Sequence, residues 1–147
     1  MTPRYKRIMV TLDGSATANQ AMPHAEFLAK TFGAELSLFR VVPDVPRVGR
    51  VGPEDEKQRR NTDDAERDLN SQAEMLRHHL AIKVVTDVGE PAEQIVEYAK
   101  QHEVDLIVMT THGRSGFSRM IYGSVAEQVL HTAPCAILLI RSTAQEK

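Results

Sequence analysis

Cys135 is the single cysteine among 147 residues, so no disulfide can form within the chain, in keeping with a reducing compartment. No apolar run approaches the roughly 18 to 20 residues that a membrane-spanning helix needs. The opening Met1-Thr2-Pro3-Arg4-Tyr5-Lys6 leads into a strand-like run without a signal-peptide core. Nor does either sign of charge dominate: 18 Lys+Arg against 20 Asp+Glu leave a formal net charge of −2 and a pI near 6.3. Such a balance supplies no global attraction to nucleic acid or to an anionic membrane surface. These absences predict a cytoplasmic protein with neither as a partner. At 16.4 kDa the chain fits one domain, residues 1–147, with one substantial core.

Strand-like and helix-like periodicities alternate along the chain. Arg7 to Leu12 reads as a strand ending at Asp13-Gly14. Ala18, Ala21, Ala25, Leu28, Ala29 and Phe32 then recur at helical spacing until Gly33 stops the helix. Ala34 to Val42 reads as a second strand, and the 43–53 segment, with three prolines and two glycines, as a loop over the sheet's carboxyl edge that covers a ligand. Between Glu54 and Leu80 the charged sequence hides one stripe, Ala65, Leu69, Ala73, Leu76 and Leu80, which predicts a long helix with a solvated outer face. Ile82 to Val88 is a third strand, Glu90 to His102 a helix, Val104 to Met109 a fourth strand, Ser124 to Thr132 a helix and Cys135 to Ile140 a fifth strand. Such alternation predicts a doubly wound α/β domain, with a mostly parallel five-stranded sheet and helices on both faces. The fifth strand is apolar throughout and no helix follows it. It is therefore expected to pair with a second copy through 135–140, giving a homodimer; the alternative is burial under helices on both faces.

The most informative stretch is Met109-Thr110-Thr111-His112-Gly113-Arg114-Ser115-Gly116, followed by Gly123-Ser124. It joins the fourth strand to a helix, where open α/β sheets bind ligands. Glycines at 113, 116 and 123 let backbone N–H groups approach a phosphate, and the next helix N-terminus adds partial positive charge. Ser124 with Glu127 three residues on spells a capping box, so its hydroxyl serves the helix, a phosphate, or both. Arg114 and Arg119 are placed to balance phosphate charge, or are ordinary loop arginines; His112 reads as a solvent-facing loop histidine. Asp13, at the carboxyl end of the first strand, is placed to accept ribose hydroxyls or hold a phosphate-bound metal; equally it is a turn residue before Gly14, with Ser15 as helix cap. Val41-Val42 ends the second strand, where backbone groups meet an adenine edge or the valines simply fill the core.

The block Val108 to Arg141, with T-H-G-R-S-G, then G-S-V-A-E-Q-V-L, then A-P-C-A-I-L-L-I-R, resembles the universal stress protein family, as does Arg7-Ile8-Met9-Val10-Thr11-Leu12-Asp13-Gly14-Ser15. The resemblance spans nearly the whole chain. It implies a Rossmann-like, adenine nucleotide alpha hydrolase-like sheet with strand order 3-2-1-4-5. The family's nucleotide-binding motif is G-x-x-G, nine residues, then Gly and Ser or Thr. Gly113 stands as its second glycine, Arg114 to Tyr122 as the nine, and Gly123-Ser124 as its end. Its first glycine is replaced by Thr110, whose branched Cβ narrows the backbone approach while its hydroxyl adds a polar group. By resemblance, Asp13 contacts ribose, Thr11 and Val41 contact adenine, and Gly113, Arg114, Gly116, Gly123, Ser124 and Val125 surround the phosphates. The family's dimer through its last strand agrees with the edge expected at 135–140.

The expected function is therefore that of an ATP-binding, stress-response regulatory homodimer acting by occupancy, with magnesium held through the phosphates. Slow ATP hydrolysis is the most catalysis expected, because no general base for an attacking water stands out. The alternative is a nucleotide-free scaffold of the same fold, favoured by Thr110. A phosphoacceptor receiver fits poorly: Leu12, not a second acid, precedes Asp13, and Arg141, not lysine, follows Ile140. Leu12-Asp13-Gly14-Ser15-Ala16 lacks the Ser-Gly-Gly-x-Asp-Ser loop of related ligases, and no G-x-x-x-x-G-K-[ST] occurs. His78-His79 are adjacent and face different directions, so metal-only chemistry has little support.

Overall fold

In the computed structural model, which describes residues 4–47, 49, 52–112 and 123–143, the elements run β1 (Arg7–Leu12), α1 (Ala16–Asn19), α2 (Met22–Phe32), β2 (Glu35–Val42), α3 (Pro53–Glu74), β3 (Ile82–Val88), α4 (Pro91–Gln101), β4 (Leu106–Thr110), α5 (Ser124–Thr132) and β5 (Ala136–Ile140). All the strand pairings are parallel, in the order β3-β2-β1-β4-β5. The chain reverses direction across the sheet between β1 and β4, the switch point where strand ends diverge and leave a crevice.

Alternation along the central strands sorts the core into two layers. Ile8, Val10, Leu12, Leu36 and Leu38 turn toward α2 and α3, meeting Ala25, Ala29, Leu69 and Ala73. Met9, Phe39, Ile107 and Met109 turn the other way, toward Ile95 and Ala99 of α4 and Ala126 and Val129 of α5. Because both faces are covered, β1 and β4 are nearly continuous apolar runs rather than alternating ones. The ring of Phe39 lies 5.0 Å from that of Tyr98, tying β2 to α4. β5 pairs only with β4 among the described residues, and its side chains are exposed or half-buried.

Two helices depart from their apolar stripes. The helix expected to run unbroken to Phe32 is split: Gln20 N bonds Thr17 O at 3.2 Å and Ala21 N bonds Ala18 O at 3.1 Å, a tight turn before α2 restarts with Pro23 in its first turn. Proline lacks the N–H a continuous helix would need there. The long helix stops at Glu74, after which Leu76 N bonds Ala73 O at 2.9 Å and Leu80 N bonds Leu76 O at 3.1 Å. Leu76 is still buried and Leu80 still packs on the core, so the stripe reported the side chains correctly but not the backbone.

The loop after β2 is held by α3: the Gln58 amide accepts from Val45 N at 2.6 Å and donates to Pro43 O at 3.2 Å, and Arg47 pairs with Asp55 at 3.2 Å. At the sheet's amino edge, Asp105 Oδ2 accepts the main-chain N–H groups of Lys6 at 2.8 Å and Arg7 at 2.9 Å. Beside it, Arg7 pairs with Glu103 at 3.5 Å.

Candidate functional site

β1 is the middle strand and delivers Asp13 to the carboxyl edge. The chain then turns through Gly14 at φ 86° into Ser15, the N-cap of α1. Asp13 Oδ1 accepts from Ser15 N at 2.9 Å and from Ser15 Oγ at 2.5 Å, while Ser15 Oγ accepts from Ala18 N at 3.0 Å. The carboxylate is thus oriented by the turn, as an Asx residue with a following cap should be. Thr11, behind it, is buried opposite Phe39; Val41 is half-buried near the end of β2, opposite Asp87.

At the end of β4, Thr110 is buried and its Oγ1 donates to His112 O at 2.7 Å, so the side chain standing where the family motif has glycine braces the turn. Thr111 N donates to Ile140 O at 2.9 Å. His112 does not simply face solvent: it is half-buried, and its Nδ1 is buried with no hydrogen-bond partner among the described residues. Across from it Gly123 adopts φ 79° and ψ 156°. A Cβ there would overlap Thr111 O and stand 3.3 Å from His112 Nδ1, so this close approach of α5 to β4 requires glycine.

The expected capping box is corrected. Gly123, not Ser124, is the N-cap, since Gly123 O accepts the first helical bond from Glu127 N at 3.1 Å; Ser124 is the first helical residue, exposed, and no side chain among the described residues caps the helix. Among the described residues no side-chain acceptor meets the first-turn N–H groups of α5, and such groups attract an anion. The structure brings Asp13, Thr110, Gly123, Ser124 and Val125 to one edge at the switch point, with Val41 one strand away. Gly113, Arg114, Gly116 and Arg119 lie outside the described residues.

Sequence reasoning missed the residues that fasten the exit of β5 beside this edge. Thr111 Oγ1 lies 2.9 Å from Ser142 Oγ, and the Gln20 amide bonds both backbone groups of Thr143. No local signal marks a contact between residues this far apart in the chain. Two surface hollows lie elsewhere: one of about 240 Å³ at the amino edge, between Arg7, Lys83, Tyr98 and Glu103, and one of about 280 Å³ beside Phe27 and Leu138. Among the described residues no group of three or more His, Cys, Asp or Glu side chains gathers to hold a metal, and no helix is long and apolar enough to cross a membrane.

The sequence model described as the Universal stress protein family matches residues 4–141. Universal stress protein MJ0531 of Methanocaldococcus jannaschii is 34% identical over 149 residues, covering 97% of this chain and 85% of the relative. The universal stress protein UspA from Lactobacillus plantarum superposes with a TM-score of 0.81 at 28% identity, over 95% of this chain and 100% of that one. Two structures share the fold at 22% identity: a universal stress protein in complex with cAMP, TM-score 0.70 over 96% of this chain and 100% of that one, and the Archaeoglobus fulgidus protein in complex with dAMP, TM-score 0.61 over 94% and 99%. With its matched span and this fold, the chain belongs to the universal stress protein family.

Proposed function

We propose that the chain binds an adenine nucleotide, ATP in the cell, across the β1 and β4 loops and works by occupancy as a regulatory stress-response protein. The observation that carries this reading is the start of α5: Gly123 brings it against the end of β4, no side chain among the described residues caps it, and Asp13 stands at the same sheet edge. An uncapped helix N-terminus favours phosphate, and a carboxylate at a strand end favours ribose hydroxyls. Ser124 and Val125 fit the phosphates, Asp13 the ribose, and Thr11 and Val41 the adenine; Gly113, Arg114 and Gly116 complete the phosphate contacts in this reading. Magnesium would reach the protein through the phosphates. The cAMP and dAMP held by two proteins of this fold support the ligand class. Titration calorimetry with ATP and magnesium tests it: saturable heat is expected, and no binding at millimolar nucleotide rejects it. In this reading the working form is a homodimer joined through β5.

One observation favours a second reading, a nucleotide-free scaffold: the Thr110 side chain is buried where the motif has glycine. Mass spectrometry of small molecules released from purified protein separates the two. AMP, ADP or ATP is expected for the first, and none for the second.

A further inference from the structure

The few residues that leave β5 are gripped from two sides. From the residue just after β4, Thr111 N donates to Ile140 O at 2.9 Å, Ser142 N donates to Thr111 Oγ1 at 3.1 Å, and the two hydroxyls lie 2.9 Å apart. From the end of α1, Gln20 Nε2 donates to Thr143 O at 3.0 Å while its Oε1 accepts from Thr143 N at 3.0 Å and from Thr143 Oγ1 at 3.4 Å. The Gln20 amide thus serves Thr143 as a neighbouring strand's peptide would, using donor and acceptor together; the reversed amide would satisfy neither.

Both grips grow out of the candidate site. Gln20 ends the short helix that Ser15 opens, and Ser15 is bonded to Asp13. Thr111 lies between Thr110 and His112, and its carbonyl oxygen abuts Gly123. Whatever steadies the Asp13 turn and the start of α5 therefore steadies both holds on 140–143. Those residues are the exit of β5, the outermost strand, whose far edge pairs with no other strand among the described residues.

We propose that residues 140–143 form a latch that carries occupancy of the nucleotide site to the outer edge of β5, tightening the strand when ligand is bound. This rests on the nucleotide reading above. Coupling of this kind needs no change of shape, since ordering one part lowers the cost of ordering the next, and it acts equally in both directions. Its natural consequence is that nucleotide sets how readily β5 accepts a second strand.

Hydrogen exchange followed by mass spectrometry on the full chain, read over peptides covering 136–143 with and without Mg-ATP, tests the latch alongside calorimetry. In the parent, ATP should slow exchange there by about fivefold or more. In Gln20→Ala, in Ser142→Ala and in the double variant, ATP should still give binding heat while the slowing shrinks, to under about twofold in the double variant. Slowing that persists in the double variant overturns the latch, as does a parent that binds ATP with no change in exchange. A parent that binds no ATP is a different result: it overturns the nucleotide reading itself, and the latch with it.

Discussion

The α-carbon of Gly123 sits so close to the carbonyl oxygen of Thr111 that one added methyl group would overlap it. Gly123→Ala therefore faces two penalties, a left-handed-side φ of 79° and a collision with main chain that cannot step aside. The strain alone is about 1–3 kcal/mol. Gly33 is the control: its φ is 63°, and a Cβ there meets nothing within 4 Å. Gly33→Ala should cost about 1–2 kcal/mol and leave ATP affinity unchanged. Gly123→Ala should cost more and weaken ATP binding by at least about tenfold, roughly 1.4 kcal/mol. Urea unfolding and calorimetry on both variants read the contrast, and equal affinities would break the link between the Thr111 contact and the site.

Thr110→Val keeps the shape of the side chain and removes only the hydroxyl that donates to His112 O. The carbonyl then loses that donor in a part-buried position, at a cost of about 1–3 kcal/mol. Chemical denaturation measures it. A neutral substitution would mean that Thr110 merely fills space.

Burial pushes the Cys135 thiol above its ordinary value; the Asp105 carboxylate adds to the rise, and a hydrogen bond with the Ile107 backbone opposes it. The folded chain keeps the proton at pH values where the unfolded chain, with a thiol near pKa 8.5, has begun to lose it. Its contribution to stability is therefore whole below that range and is lost as pH rises through the folded value. The parent should lose stability with rising alkaline pH more steeply than Cys135→Ala. Iodoacetamide at mildly alkaline pH should label Cys135 more slowly than an unstructured cysteine peptide.

The exposed or half-buried side chains of β5 and its outer edge, which pairs with no strand among the described residues, predict self-association. Light scattering at micromolar concentration should return twice the 16.4 kDa chain mass. A monomeric mass would remove β5 as the joining strand.

The order and type of the sheet elements were legible because central parallel strands are covered on both faces and read as apolar runs, as Ile8 to Leu12 and Leu106 to Met109 do. The break at Gln20 was not, because Ala18, Ala21 and Ala25 keep helical spacing whether or not the backbone bonds run unbroken between them. The cap of α5 was misplaced by one residue: Ser-x-x-Glu is a side-chain signal, but the contact with Thr111 selects glycine as the boundary. Asp13 and Gly123 were legible by type and place, whereas Gln20, Ser142 and Thr143 follow from how strands lie side by side, which no local pattern encodes.

The carboxylate of Asp105, just before β4, holds the amides of Lys6 and Arg7 and pins the start of β1 at the amino rim of the sheet. Both main-chain donors are satisfied there before β1 enters the sheet. The clamp keeps β1 seated against β4 at the end of the sheet away from Asp13, so a substitution in the Asp13 turn leaves that seat unchanged.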